Sequence, residues 1–201
     1  MTRANSRTGQ PVSHKITVTA LLSAIAFILQ YIEIPIPLMP PFIKFDFSDL
    51  PALLAAFSLG PVYGVVTELI KNLVHLPVSS SAMIGELSNF ILGAAFVFTA
   101  GCIYKRKKTR RGALMASIAG SVVMAAVSLP VNYFIIYPLY GTILHFTSDA
   151  IVAMFQAILP SVRNLWDCLL IFNVPFTLVK GLIDMFITFL IYKKLSPVLH
   201  R

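Results

Sequence analysis

The stretch LPALLAAFSLGPVYGVVTELIKNLVHL, residues 50–76, decides how this chain folds. It is almost entirely apolar, and it is longer than the about 20 residues with which a helix crosses the hydrocarbon core of a bilayer. The dipeptide Gly60-Pro61 interrupts it, and such a pair ends a helix. We therefore predict two short helices here, at about 50–59 and 61–76, instead of one span.

The composition places the rest of the chain in a membrane as well. Hydrophobic residues make up 57% of the 201 residues and charged residues only 12%, and the mean hydropathy is +0.82. Soluble domains contain about 45–50% apolar and about 25% charged residues. The sequence predicts an all-α integral membrane protein with six transmembrane helices, at about 15–32, 50–59, 61–76, 83–104, 112–137 and 169–193.

The distribution of lysine and arginine predicts the orientation. Basic residues cluster before the first helix, in the segment KRKKTRR (105–111) and after the last helix. Cytoplasmic loops of membrane proteins are enriched in lysine and arginine, so these three segments are expected in the cytoplasm of a cell-membrane protein. The expected parts are a cytoplasmic tail (1–14), a membrane domain (15–195) and a second cytoplasmic tail (196–201). The basic residues of the two ends are Arg3, Arg7, Lys15, Lys193, Lys194 and Arg201.

Motifs of common enzyme classes are missing from the sequence. It contains no G-x-x-x-x-G-K-[ST], no H-E-x-x-H and no G-x-S-x-G, and Cys102 and Cys168 lack metal-binding spacing. We expect neither catalysis nor a metal site. A small intramembrane enzyme remains the alternative from a different functional class.

Polar groups in the last helix point to a partner or a cavity, because they are costly in lipid. Lys180 and Asp184 lie four residues apart on one helical face, with Thr177 one turn earlier. Lys180 and Asp184 could pair with each other, or they could form the wall of a ligand pocket. Asn132 lies in the same membrane half by the predicted topology. This convergence favours a pocket that opens outward.

Two further patterns give local expectations. Glu68 and Lys71 are three residues apart and are predicted to pair, whereas His75 near a segment end is expected to be solvated. In the first helix, Ala20 and Ala24 are four residues apart, which lets another helix approach closely. That helix could belong to this chain or to another subunit.

Three blocks of sequence resemble a known family. KFDFSDLPALLAAFSLGPVYGVVTELIKNLVH (44–75) resembles the hallmark stretch of the riboflavin-specific S components of energy-coupling-factor (ECF) vitamin transporters. LPVNYFIIYPLY (129–140) and VPFTLVKG (174–181) are similar to the fifth- and sixth-helix motifs of that family. Ala20-x-x-x-Ala24 is similar to the pattern by which S components dock on their transmembrane coupling subunit.

The resemblance implies a substrate-binding subunit that captures riboflavin outside the cell for ATP-driven uptake. Its partners would be a transmembrane coupling subunit and two ATP-binding-cassette (ABC) ATPases. Riboflavin would be bound as substrate, with no cofactor and no nucleic acid involved. Flavin mononucleotide or another vitamin is the alternative ligand, and a phosphate would need cations such as Lys44 and Arg163 at the outer mouth.

The resemblance also implies residue roles. Asn132 and Lys180 match positions that hydrogen-bond the polar parts of the flavin, and Thr177 stands where the family commonly has asparagine. The loop MPPFIKFDFSD would close over the site. The predicted ligand-binding residues are Asn132, Thr177, Lys180, Asp184, Lys44 and Asp46.

Overall fold

The computed structural model describes the backbone of residues 11–199 and the side chains of residues 11–191. Most of the predicted tail 1–14 and part of the predicted tail 196–201 lie outside this range. The basic residues on which the predicted orientation partly depends therefore lie outside the described side chains: Arg3, Arg7, Lys193, Lys194 and Arg201.

Helices form nearly all of the regular structure in the described residues. Four helical segments are long and apolar enough to cross a membrane, and the shorter α2 is apolar too. The predicted all-α membrane fold is confirmed. The helices are α1 (Val12–Tyr31), α2 (Asp49–Ser58), α3 (Pro61–His75), α4 (Ile84–Arg106), α5 (Arg110–Val131), α6 (Tyr137–Ile143), α7 (Ser148–Gln156), α8 (Leu165–Cys168) and α9 (Val174–Leu199).

The break between α2 and α3 falls at Gly60-Pro61. Gly60 has a φ of +119°, a backbone conformation that residues with a side chain rarely adopt. Pro61 is the first residue of α3, where no intrahelical N–H bond is required. The turn therefore reverses the chain without leaving a proline inside a helix.

At one end of the bundle, the helices pack around the loop that precedes α2. The helix α1 packs on α2 and α3, α4 packs between α3 and α5, and α9 packs on α5 and α2. The loop carries a short antiparallel hairpin, in which β1 (Ile34–Pro35) pairs with β2 (Lys44–Phe45). This hairpin covers the bundle end opposite the basic segment 105–111.

Two π-helical segments extend the last two long helices beyond the predicted bounds. Asn132–Ile136 joins α5 to α6, and Leu169–Asn173 joins α8 to α9. In each segment an i→i+5 hydrogen bond is donated by the residue directly before a proline, Tyr137 before Pro138 and Val174 before Pro175. A proline cannot donate the usual bond, and its ring clashes with the carbonyl four residues earlier. The widened turn accommodates the proline, and the helix continues through Ile143.

Candidate functional site

A cavity of about 710 Å³, counted to its open mouth, lies under the hairpin at the end of the bundle opposite the basic segment 105–111. Its walls come from β2 and the adjoining loop, from the start of α4, and from the two π-helical junctions. Both junctions contribute an asparagine, Asn132 from the first and Asn173 from the second. π-Helical turns are frequently found at functional sites. Here they direct polar groups of two long helices into one cavity.

The lining is mainly apolar, with polar groups at a few places. Such a composition is typical of small-molecule sites. The aromatic side chains are Phe42, Tyr137, Tyr140 and Phe176, and the amide and hydroxyl side chains are Ser88, Asn89, Asn132, Asn173 and Thr177.

The structure brings most of the predicted ligand-binding residues together. Asn132, Thr177, Lys180, Lys44 and Asp46 all line the cavity. The sixth predicted residue, Asp184, is fully buried one turn beyond Lys180, and it is not part of the lining.

Lys180 is held by carboxylates of the loop before α2 and of α2 itself. Its Nζ lies 3.1 Å from Asp46 Oδ2 and 3.0 Å from Asp49 Oδ2. Asn89 Nδ2 donates to the same Asp46 oxygen over 3.3 Å. The local alternative, an ion pair with Asp184, does not occur among the described residues. The cation therefore ties α9 to α2 across the floor of the cavity.

A second lysine completes this buried charged network. Lys71 of α3 contacts Asp49 Oδ1 at 2.5 Å and Glu68 Oε2 at 2.7 Å, and its Nζ donates to Ser48 Oγ over 2.6 Å. The predicted pairing of Glu68 with Lys71 is confirmed. Asp49 stands in the first turn of α2, where a negative charge also complements the helix dipole. One carboxylate therefore connects the two ammonium groups.

An outer vestibule adjoins the cavity and shares its Phe42, Lys44 and Asn89 side. We use this name for the space of about 990 Å³ that extends toward Gln30, His75, Glu86 and the serines of the loop before α4.

The lining of the outer vestibule includes an unexpected hydrogen bond between His75 and Glu86. His75 Nδ1 lies 2.8 Å from Glu86 Oε1, and His75 is only 4% exposed. The expectation of a solvated His75 was wrong, because the ring of Phe27 from α1 packs edge-on against it. Lys44 pairs with Glu33 and its Nζ donates to Ser80 Oγ over 3.3 Å. These contacts tie the hairpin to the loop before α4.

Several cavity residues are not among those predicted from the sequence. Asn173 accepts a hydrogen bond from the Tyr137 hydroxyl over 3.0 Å, which joins the two π-helical junctions. Pro138 and Pro175 were the available signal, because a proline within an apolar run indicates local helix distortion. Among the described residues, no group of three or more histidine, cysteine, aspartate or glutamate side chains is arranged to hold a metal ion.

Known proteins match this chain over nearly its whole length. The family described as "ECF transporter, substrate-specific component" matches residues 14–192. Riboflavin transporter RibU of Staphylococcus aureus (strain TCH60) is 36% identical over 187 residues, which is 93% of this chain and 93% of that protein. Riboflavin transporter FmnP of Bacillus subtilis (strain 168) is 30% identical over 190 residues, 93% of this chain and 94% of the relative.

A solved structure, "Structure and mechanism of the S component of a bacterial ECF transporter", is similar with a TM-score of 0.74 and 33% identity. It matches 94% of this chain and 99% of the solved one. The match at this identity covers the same helices that form the cavity. This chain therefore belongs to the family of substrate-specific components of ECF transporters, and it is a membrane-embedded transport subunit rather than an enzyme.

Proposed function

We propose that this chain captures riboflavin from outside the cell and delivers it for ATP-driven uptake. The observation that carries the proposal is the cavity beneath the hairpin, whose lining combines Asn132, Thr177 and Lys180 of two long helices with four aromatic side chains. The names of the relatives support the choice of vitamin, because they are called riboflavin transporters. The role in uptake follows from the family.

The aromatic side chains of the cavity suit the isoalloxazine ring, which is flat and largely apolar. Aromatic side chains bind such rings by offset or edge-to-face packing. Phe42 already packs edge-to-face against Tyr137, and Tyr140 lies at a tilted angle to both rings. The polar edge of the ring would meet Asn132 and Lys180. The family resemblance implies an asparagine at the position of Thr177, and the Thr177 hydroxyl supplies one donor fewer than that amide.

The outer vestibule suits the ribityl chain. A polyol needs donors and acceptors along its length, and this space offers the amides of Gln30 and Asn89 together with the hydroxyl groups of Ser80 and Ser81. Lys44 and Asp46 lie where the two spaces join. We infer that the ring occupies the cavity and that the ribityl chain extends into the vestibule.

Flavin mononucleotide is a weaker candidate ligand. A phosphate would need an available cation, but Lys44 is paired with Glu33 and Arg163 lines neither space. Asp46 and Glu86 add negative charge to the vestibule. These charges favour the uncharged vitamin.

The proposed partners are a transmembrane coupling subunit and two ABC ATPases, as the family implies. On α1, the buried face carries Leu22, Ser23 and Ala26, whereas Ala20 and Ala24 are exposed. An exposed stripe of small residues lets a second helix approach closely in a membrane. We propose this stripe as the docking surface for the coupling subunit.

The proposed location is the cell membrane, with both termini in the cytoplasm. The basic segment 105–111 supports this orientation through the enrichment of cytoplasmic loops in lysine and arginine. The cavity then opens outward, as capture of an external vitamin requires.

Titration of the purified chain with riboflavin tests the proposal. We expect saturable quenching of flavin fluorescence, and a yellow protein when the cells are grown with riboflavin. A well-folded, colourless chain that shows no quenching at any riboflavin concentration would contradict the proposal. A parallel titration with flavin mononucleotide separates the two ligand candidates.

A further inference from the structure

Among the described side chains, the charged network at the floor of the cavity contains more carboxyl groups than ammonium groups. The carboxyl groups are those of Asp46, Asp49, Glu68 and Asp184, and the ammonium groups are those of Lys71 and Lys180. Each of these residues is at most 6% exposed. A buried carboxylate that lacks a compensating cation becomes protonated, because burial disfavours its charged form. Burial therefore favours a proton on one of these carboxyl groups.

The geometry singles out Asp184 as that group. Asp46, Asp49 and Glu68 each have an oxygen within 3.1 Å of an ammonium nitrogen. Asp184 is 0% exposed, and neither of its oxygens has a hydrogen-bond partner among the described residues. The hydroxyl of Thr188, one turn further along α9, is also buried without a described partner.

Among the side chains that the structure describes, the surroundings of Asp184 supply no further cation. The charged groups that act on Asp184 are Asp49 of α2, Lys180 of α9, Asp46 of the preceding loop and Lys71 of α3. Glu68 of α3 completes the network through its pair with Lys71. The buried residues of α5, which packs along α9, include serines but no titratable side chain.

We propose that Asp184 is a proton-binding positioning residue. Its neutral form lets Lys180 contact Asp46, Asp49 and the ligand. Lys180 and Asp184 lie four residues apart, a spacing at which side chains on one helix face meet. An ionised Asp184 would attract the ammonium group of Lys180 toward itself and away from the cavity. This inference rests on the proposed binding of riboflavin, and it adds a regulating proton to that site.

The sign of the pH dependence follows directly. At neutral pH Asp184 holds its proton and Lys180 keeps its position at the cavity. As the pH rises, Asp184 releases the proton and draws Lys180 away, so riboflavin affinity falls. The ionisation of free riboflavin is the same in every titration. The difference between wild type and Asp184→Asn in the pH dependence of riboflavin affinity therefore reports on the proton of Asp184.

The experiment compares wild type, Asp184→Asn and the control Asp149→Asn, in which an exposed carboxylate of α7 is neutralised. We expect the affinity of wild type and of Asp149→Asn to fall by about tenfold or more in alkaline buffer, as expected for the loss of a hydrogen bond from a charged donor. We expect Asp184→Asn to bind riboflavin at neutral pH and to lack this additional alkaline loss. Infrared spectroscopy of wild type at neutral pH should show the C=O stretch of a buried carboxylic acid, which is missing in Asp184→Asn.

The outcomes separate this inference from the proposed function. If wild type binds no riboflavin at any pH, the proposed function is wrong, and the infrared band alone decides the protonation of Asp184. If wild type binds but has the same pH profile as Asp184→Asn, the positioning role is overturned. The absence of the carboxylic-acid band from folded wild-type protein overturns the proposal even if Asp184→Asn does not fold.

Discussion

Lys180 Nζ and Asp46 Oδ2 lie 3.1 Å apart, although 134 residues separate them in the chain. Lys180 belongs to the last helix, whereas Asp46 belongs to the loop that covers the cavity. The contact therefore links the wall of the candidate site to its cover. Both residues also line the cavity, so a ligand there would meet an ammonium group whose position is fixed from two sides.

Lys180→Met tests the role of this ammonium group in binding. We expect the dissociation constant for riboflavin to rise about tenfold or more, since a hydrogen bond from a charged donor contributes about 1.5–3 kcal/mol. The fold should persist, because Asp49 keeps its contact with Lys71. Fluorescence titration measures the affinity, and circular dichroism reports the fold. Unchanged affinity in the folded variant would exclude Lys180 from the site.

Lys71→Met tests stability instead of ligand binding. Lys71 is fully buried, contacts Asp49 and Glu68, and does not line the cavity. Removing one partner of a buried ion pair destabilises a protein by about 3–5 kcal/mol. We expect a clear fall in the thermal unfolding midpoint without ligand, larger than for Lys180→Met. A midpoint for Lys71→Met equal to that of wild type would contradict the structural role of Lys71.

Gly93→Ala tests the close approach of α4 to the charged network. A Cβ atom at Gly93 would lie 2.5 Å from Glu68 Oε2, and Lys71 prevents the carboxylate from moving freely. Overpacking of this kind costs about 1–3 kcal/mol, measurable as a lower unfolding midpoint. Gly141→Ala is the matched control, because its nearest contact would be Phe146 O at 3.4 Å. A Gly93 variant as stable as the control would show that Glu68 can move aside.

The charges of the outer vestibule predict discrimination between flavins. We expect flavin mononucleotide to bind about tenfold more weakly than riboflavin, which corresponds to about 1.4 kcal/mol of charge repulsion. Glu33→Gln should narrow this ratio, because it releases Lys44 from its ion pair and makes a cation available to the phosphate. Side-by-side titrations of both ligands measure the ratio. A wild-type protein that prefers the phosphorylated flavin would refute the argument.

Ala20→Trp and Ala24→Trp test the proposed docking surface. Both alanines are exposed on α1, so a larger side chain there should leave riboflavin binding intact. Uptake of labelled riboflavin by cells should nevertheless be lost, because the coupling subunit could no longer approach closely. Met115→Trp on α5, at a position 68% exposed, is the control and should transport normally. Normal uptake by both alanine variants would remove the docking proposal.

Local spacing in the sequence was sufficient to predict the features that depend on a single segment of the chain. The apolar runs predict the membrane helices, and Gly60-Pro61 marks the turn between α2 and α3. The pairing of Glu68 with Lys71 also follows from spacing, since residues three apart on a helix are neighbours. Each of these features depends on backbone geometry or composition within a few turns.

Only the tertiary structure decided the partners of the buried charges. By spacing, Asp184 is as good a partner for Lys180 as Glu68 is for Lys71, yet Lys180 instead contacts Asp46 and Asp49. The reason is that the packing of α9 against α2 brings two carboxylates to one ammonium group, and the spacing within one helix carries no information about such contacts. The burial of His75 under α1 and the meeting of the two π-helical junctions at one cavity depend on helix packing in the same way.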